Sequence, residues 1–285
     1  MFAFQIVRHA VRQVTDSPGS AARIALPAIV ALFVFEVGVA SLTGQPAPID
    51  IQHLRDLVAP LPPGRAALVV GLYLIWLAAG LYAYVGWHHF VLLDERPGRF
   101  GLPVPVAQVV AYFAAVLLVV LIGAVLVYAG VMAIVLLAAA FGEGFMPFVL
   151  GLVPALVLAV LYVLLRLLPA LAGAAIGNRI GLTGAWRATR GAGGGLVLSA
   201  LLLIVAEIAV LLAVGIVLAI LNGLVLPQLA ILTGPAIAQG LAVVPLAVLS
   251  VIAMLPIFIG LSYLSTLYGY FVEHRPLTRA FEGNR

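Results

Sequence analysis

Glu36, Arg166 and Glu207 are the residues best placed to do chemistry, because each interrupts a long apolar run. Glu36 lies about 13 residues past Arg23, roughly 19 Å into its run at 1.5 Å per residue. Glu207 lies about 12 residues past Gly195, roughly 18 Å deep, and Arg166 about 9 residues before its run ends, roughly 13 Å deep. A charge at the centre of a bilayer costs roughly 2.5–3.5 kcal/mol on insertion scales. The three groups are therefore expected to face the protein interior as one polar cluster, and pairing Arg166 with Glu207 or Glu36 would lower the cost. Such a cluster could be a structural ion pair that fixes helix order. The alternative is a coupling or substrate site in which one glutamate takes up and releases a proton.

Other reactive patterns are missing. The chain has no cysteine, which excludes disulfides, thiolate metal sites and cysteine nucleophiles. Its five histidines form no His-Glu-x-x-His or similar ligand spacing. Asp50, His53 and Asp56 read as a solvated turn of helix rather than a metal site. Gly193-Gly194-Gly195 lacks the Gly-Lys-Ser/Thr ending of a phosphate loop. No catalytic residue, metal or cofactor is assigned, and the chain is read as a non-enzyme.

The elements that must position these groups are set by hydropathy. The chain is 65% hydrophobic and only 8% charged, against about a quarter charged for soluble domains. So little charge cannot cover a water-facing surface, so lipid must solvate most of the molecule. The expected fold is all-α: an integral membrane bundle of six transmembrane helices preceded by an interfacial amphipathic helix. Residues 1–16 place Ala3, Phe4, Ile6, Val7, Ala10, Val11 and Val14 on one face and Arg8, His9 and Arg12 on the other, a helix suited to an anionic leaflet. Ser17-Pro18-Gly19 ends it. The spans are read as Arg23–Thr43, Ala66–Leu93, Val106–Ala140, Phe148–Ala175, Gly195–Leu221 and Leu241–Phe271. They make up a transmembrane domain over 21–272, followed by a cytoplasmic tail over 273–285. The first span is too long, and carries too long a basic lead, for a cleaved signal peptide. Residues Ile49 to Val58 can form a short helix in the Pro-rich link. Pro154 and Pro169 should kink the fourth span. Gly173, Gly177 and Gly181 repeat at a spacing that lets helices approach. Thr183 is the expected N-cap of a short helix in the loop that follows.

Every basic residue is an arginine, fourteen in all. With six spans, twelve fall on one side and only Arg55 and Arg65 on the other. By the positive-inside rule both termini are cytoplasmic. No aromatic-basic groove suggests nucleic acid.

Trp87, His88 and His89 crowd the exit of the second span, where an aromatic belt meets head groups. Being adjacent, His88 and His89 should point to different sides of their helix. Arg179, Trp186, Arg187 and Arg190 occupy the most basic loop, and Tyr268 and Arg275 the end of the last span. Together these nine are read as a cytoplasmic interface facing lipid or a partner. Phe90-Val91…Arg96-Pro97 and Phe271-Val272…Arg275-Pro276 share a pattern that hints at internal duplication.

Three stretches carry a family resemblance. Arg166-Leu-Leu-Pro169 with Gly184-Ala-Trp186-Arg187-Ala-Thr189-Arg190-Gly191 resembles a group of bacterial multi-span inner-membrane proteins of uncharacterised function. The endings Val85-Gly-Trp87-His88-His-Phe90 through Glu95 and Leu264 through Leu277 look like signatures of that group. More distantly the chain is similar to the membrane domain attached to some glycerophosphodiesterases, and to YciC-like envelope proteins. It lacks the soluble barrel and paired carboxylates of a phosphodiesterase, so the resemblance implies no activity. The expected role is a membrane scaffold, assembly or envelope-maintenance component. Its partners would be membrane lipids and another membrane protein or a second copy. The alternative is a small-solute or ion transporter working through Glu36, Arg166 and Glu207.

Overall fold

The computed structural model describes residues 2–45, 51–99, 101–178, 180–220 and 243–276, with the single residues 223 and 228. Arg179, most of the link from Asn222 to Gly240 and the tail beyond 276 lie outside the described residues. The helices are α1 (Phe2–Thr15), α2 (Pro18–Thr43), α3 (Ile51–Val58), α4 (Pro63–Leu93), α5 (Val106–Phe141), α6 (Met146–Leu167), α7 (Pro169–Ala175), α8 (Gly181–Ala188), α9 (Gly193–Ile220) and α10 (Val243–Phe271). A 3-10 turn, Gly142–Phe145, joins α5 to α6. Among the described residues six segments are long and apolar enough to cross a membrane: α2, α4, α5, α6 running into α7, α9, and the second half of α10. The fold is an all-α helical bundle.

Prolines set the boundaries. Pro18 and Pro63 open α2 and α4 at the first helical turn, where a missing N–H costs nothing. Pro169 interrupts the hydrogen bonding between α6 and α7, while the two continue as one span; Pro154 stays inside α6. Pro27 lies inside α2 and cannot bond the carbonyl of Arg23 four residues earlier. Gly101, at φ +94°, brings the loop after α4 close to both Pro27 and that carbonyl. Leu102 and Val104 of the same loop are buried. Tyr82 donates its hydroxyl to the Leu102 carbonyl and accepts from Val104 N–H.

α10 is the hub, packing on α1, α2, α4, α7 and α9. α1 is amphipathic as expected, but protein covers its apolar face. Ala3, Ile6, Val7, Ala10 and Val14 are buried against α10 and α9, and the Phe2 ring meets Tyr270 and Phe271 at 5.1 and 5.8 Å. Burying each Ile or Val so completely is worth roughly 1.5–3 kcal/mol. Arg8 and Arg12 stay exposed. α2 and α4 run antiparallel, with Ile24 at the level of Gly86 and Gly38 at the level of Leu72. Phe35 stacks on Trp76 at 5.5 Å, and α3 caps this pair through Leu54.

The main core lies at one end of the spans. It takes in the end of α4, the starts of α2, α5 and α9, the end of α6, α7 and the last turns of α10. Beyond it most side chains of α5, α6 and α9 are exposed. In the second half of α5 only every fourth residue (Leu126, Gly130, Ile134, Ala138) is half-buried. Leu152, Leu156 and Val160 form the matching stripe on α6.

Candidate functional site

Arg166 organises the densest polar site. It sits in the last turn of α6 and is only 6% exposed. Its Nε donates to Thr189 Oγ1 at 3.2 Å, its Nη1 to the Tyr162 hydroxyl at 3.3 Å and its Nη2 to the Trp186 carbonyl at 2.5 Å. The guanidinium carbon lies 3.7 Å from the centre of the Trp186 ring. Local sequence explains the convergence. Tyr162 is one turn earlier on α6, while Trp186 and Thr189 are three apart at the end of α8. Thr189 donates its own hydroxyl to the Ala185 carbonyl at 2.9 Å, leaving a lone pair for Arg166. The cation is therefore met by an aromatic face, hydroxyls and a peptide dipole.

The expected cluster of Glu36, Arg166 and Glu207 does not form. Arg166 makes no ion pair with either glutamate. Its long stem carries the charge toward the α8 loop at the end of the span, where polar groups converge, and no carboxylate has to be buried with it. Glu36 is exposed on α2. Glu207 is half-buried on α9, and its Oε1 lies 3.4 Å from where a Cβ on Gly260 of α10 would stand.

The expected cytoplasmic interface divides in two. Trp87, His88, His89 and Tyr268 are at most 3% exposed. They are core, not surface, because α2, α7 and α10 wrap the end of α4. Trp87 Nε1 donates to Ser262 Oγ at 2.8 Å, and its ring packs on Phe258 and Phe90. His88 Nδ1 and Ser265 Oγ are 2.8 Å apart, and Ser265 donates to the Leu261 carbonyl. His88 Nε2 is buried with no hydrogen-bond partner among the described residues. His89 turns the other way, as adjacency requires: its Nδ1 faces Glu95 Oε2 at 3.0 Å, and its Nε2 faces Gln108 Oε1 at 2.6 Å and the Ala175 carbonyl at 3.2 Å. One imidazole thereby ties α4 to the following loop, to α5 and to the end of α7. Tyr268 accepts from Asn178 Nδ2 at 2.6 Å. Arg275 is exposed but anchored, donating from Nη2 to the Leu92 carbonyl and pairing through Nε with Glu273 at 2.6 Å.

Trp186, Arg187 and Arg190 remain at the surface. Arg179 lies outside the described residues. Thr183 is not the N-cap of α8; that position is Ile180, without a side-chain cap. Gly173, Gly177 and Gly181 do not form a helix-packing stripe, because α7 ends at Ala175. Gly177 and Gly181 turn the chain at φ +79° and +64°, and Gly173 admits the Asn178 carbonyl and the Tyr268 ring. Sequence reasoning missed Gln108, Thr189, Ser199, Ser262 and Ser265. For Gln108 and the serines the signal was a hydroxyl or amide inside an otherwise apolar helical run; Thr189, in the basic loop, carried none.

Two clefts meet at Leu182. One, about 430 Å³, lies between α5 and the α7–α8 segment and is lined largely by alanines. The other, about 680 Å³, is bounded by Ile122, Leu167, Thr183, Trp186 and Arg187. Neither includes Glu207. Among the described residues no three His, Asp or Glu side chains gather as metal ligands. Comparison with protein-family models, with curated proteins and with solved structures found no match for this chain.

Proposed function

We propose that this protein is a non-catalytic scaffold of a bacterial inner membrane, with both termini cytoplasmic, that holds lipids and a membrane partner on its outer helical faces. The supporting observation is how its polar groups are used. Arg166, Trp87, His89 and Tyr268 each bond within the chain, tying helices together. The outward faces of α5, α6 and α9 are apolar and exposed, Leu136, Leu150 and Leu212 by 60% or more. A surface of that kind recruits by packing, not by reaction. The arginine asymmetry supports the orientation.

Two measurements test this. Because the chain has no cysteine, single cysteines can report sidedness cleanly. Ser17→Cys should label from the cytoplasm and Arg65→Cys from the opposite face, and the reverse pattern would refute the orientation. A photo-crosslinker at Leu136 or Leu212 should trap a defined membrane protein or a second copy in native membranes, whereas one at Leu26 should trap it far less. Lipid adducts alone at all three sites would sink the scaffold reading. The transporter reading rests on Glu207, a half-buried carboxylate at mid-span beside Gly260. It predicts proton-coupled flux in proteoliposomes that Glu207→Gln abolishes.

A further inference from the structure

The two clefts that meet at Leu182 have the shape and chemistry of a lipid site. The inner one follows α5 past Ala107, Ala111, Ala114 and Leu118, with Ala170 and Ala174 of α7 opposite. Side chains this small leave an open groove rather than a closed seam. Its 430 Å³ falls within the roughly 300–1,000 Å³ usual for small-ligand sites. The outer cleft continues it to Trp186 and Arg187. Arg187 is exposed, and its hydrogen bond runs from Nε to the Thr183 carbonyl at 3.4 Å. Its two terminal nitrogens have no partner among the described residues. Buried Arg166, by contrast, uses all three of its nitrogens. The site therefore combines an open apolar cleft with an exposed indole and an uncommitted cationic fork.

We infer that the joined clefts bind one anionic phospholipid, its acyl chain along the alanine face of α5 and its phosphate on Arg187. An arginine fork matches phosphate oxygens with two parallel hydrogen bonds, and Trp186 sits where an indole commonly meets head groups. Charge complementarity selects the occupant: a second copy or a partner helix could fill the apolar cleft but would not need the fork. This inference rests on the proposed orientation, which places the α8 loop among cytoplasmic head groups.

The test uses the full chain in nanodiscs of phosphatidylcholine doped with lipid brominated on its acyl chains. Bromine quenches nearby indole, and the Trp186 contribution is obtained by difference from Trp186→Phe. Brominated phosphatidylglycerol should quench this component at about tenfold lower mole fraction than brominated phosphatidylcholine, as one charge-assisted contact implies. Arg187→Gln should abolish the preference. Ala114→Phe, at an exposed cleft position, should weaken quenching by both lipids. Equal quenching by the two lipids, or a preference that survives Arg187→Gln, would overturn the assignment. So would displacement by millimolar inorganic phosphate, which would make this a free-anion site. Absence of quenching by either lipid would mean that protein fills the cleft. The cysteine-labelling pattern is read independently, so loss of the lipid site and loss of the orientation are distinguishable.

Discussion

The end of the bundle around Arg166, Trp87 and Tyr268 and the far halves of α5, α6 and α9 are built from similar apolar sequence but are held together differently. At the packed end, hydroxyls, indoles and imidazoles cross between helices, and each bond fixes one pair in register. In the far halves, α5 and α6 share one stripe of every fourth residue, and Gly130 lets Leu156 close in. Lipid tails are as apolar as leucine, so the hydrophobic effect does not drive helices together within a membrane. Close approach and polar contacts decide where a bundle is tight. This molecule concentrates its polar contacts at one end, while close approach at Gly130 carries on into the far halves of α5 and α6.

Glycine substitutions should break the comparison most sharply. A Cβ on Gly173 would stand 2.6 Å from the Asn178 carbonyl and 3.0 Å from the Tyr268 ring. Gly173→Ala should therefore cost about 3 kcal/mol, the upper end for overpacking. On distal α9, Gly215 has nothing within 4 Å of such a Cβ. Gly215→Ala should change stability by no more than about 1 kcal/mol, in the favourable direction if helix propensity decides. Thermal unfolding of both variants in the same detergent measures the difference. Equal losses would mean that the far halves are as tightly packed as the core.

The Arg166 site comes next. Arg166→Met keeps most of the volume but removes three hydrogen bonds and the stack on Trp186. The expected loss is about 2 kcal/mol, with a change in Trp186 emission. Arg166→Lys should recover less than half, since an ammonium cannot present a planar fork and lie over an indole together.

The far halves were legible in the sequence because only length and hydropathy define them. The packed end was legible in outline alone. Prolines and apolar runs placed the end of α1 at Ser17-Pro18 and a bend at Pro169, and put the start of α4 at Ala66, three residues past its start at Pro63. They did not reveal that the partner of Arg166 is an indole face and a peptide carbonyl, because a backbone acceptor leaves no mark in residue type. Trp87 resembled an interfacial aromatic because it stands near the end of its span. Only the tertiary fold shows α2 and α10 closing over it. The serines in α10 were the available clue: Ser262 and Ser265 lie three apart in an apolar run, on a face that must meet polar partners. Glu36 and Glu207 misled for the opposite reason. Their position along the span was all that counting residues could give, and that does not say which way a side chain turns.

A double-mutant cycle sharpens that last point. If Arg166 and Glu207 formed a buried pair, Glu207→Gln alone would cost roughly 3–5 kcal/mol. With Glu207 beside Gly260 and Arg166 bound to Trp186, the change should stay under about 1 kcal/mol. The coupling of Glu207→Gln with Arg166→Met should fall within about 0.5 kcal/mol, the additivity limit for sites without shared partners. A larger coupling would restore the intramembrane ion pair.

The smallest expected effect concerns α1, the element that joins the packed end from outside the spans. His9 is half-buried on α1, 3.0 Å from Gln13 Nε2, and burial holds its pKa below the ordinary value of 6.5. A lowered folded-state pKa means that the docked helix prefers neutral imidazole. The docking contribution is therefore complete above pH 6.5 and declines as pH falls from there toward the depressed folded value. Hydrogen exchange at the amides of Ala3 to Val14 should accelerate between pH 6.5 and 5, beyond the intrinsic pH dependence of exchange. Amides of α4 near Trp87 should show no such excess. His9→Gln should flatten the α1 profile. If the profile of α1 follows that of α4, the helix is held by Ile6, Ala10 and Val14 strongly enough that one imidazole does not matter.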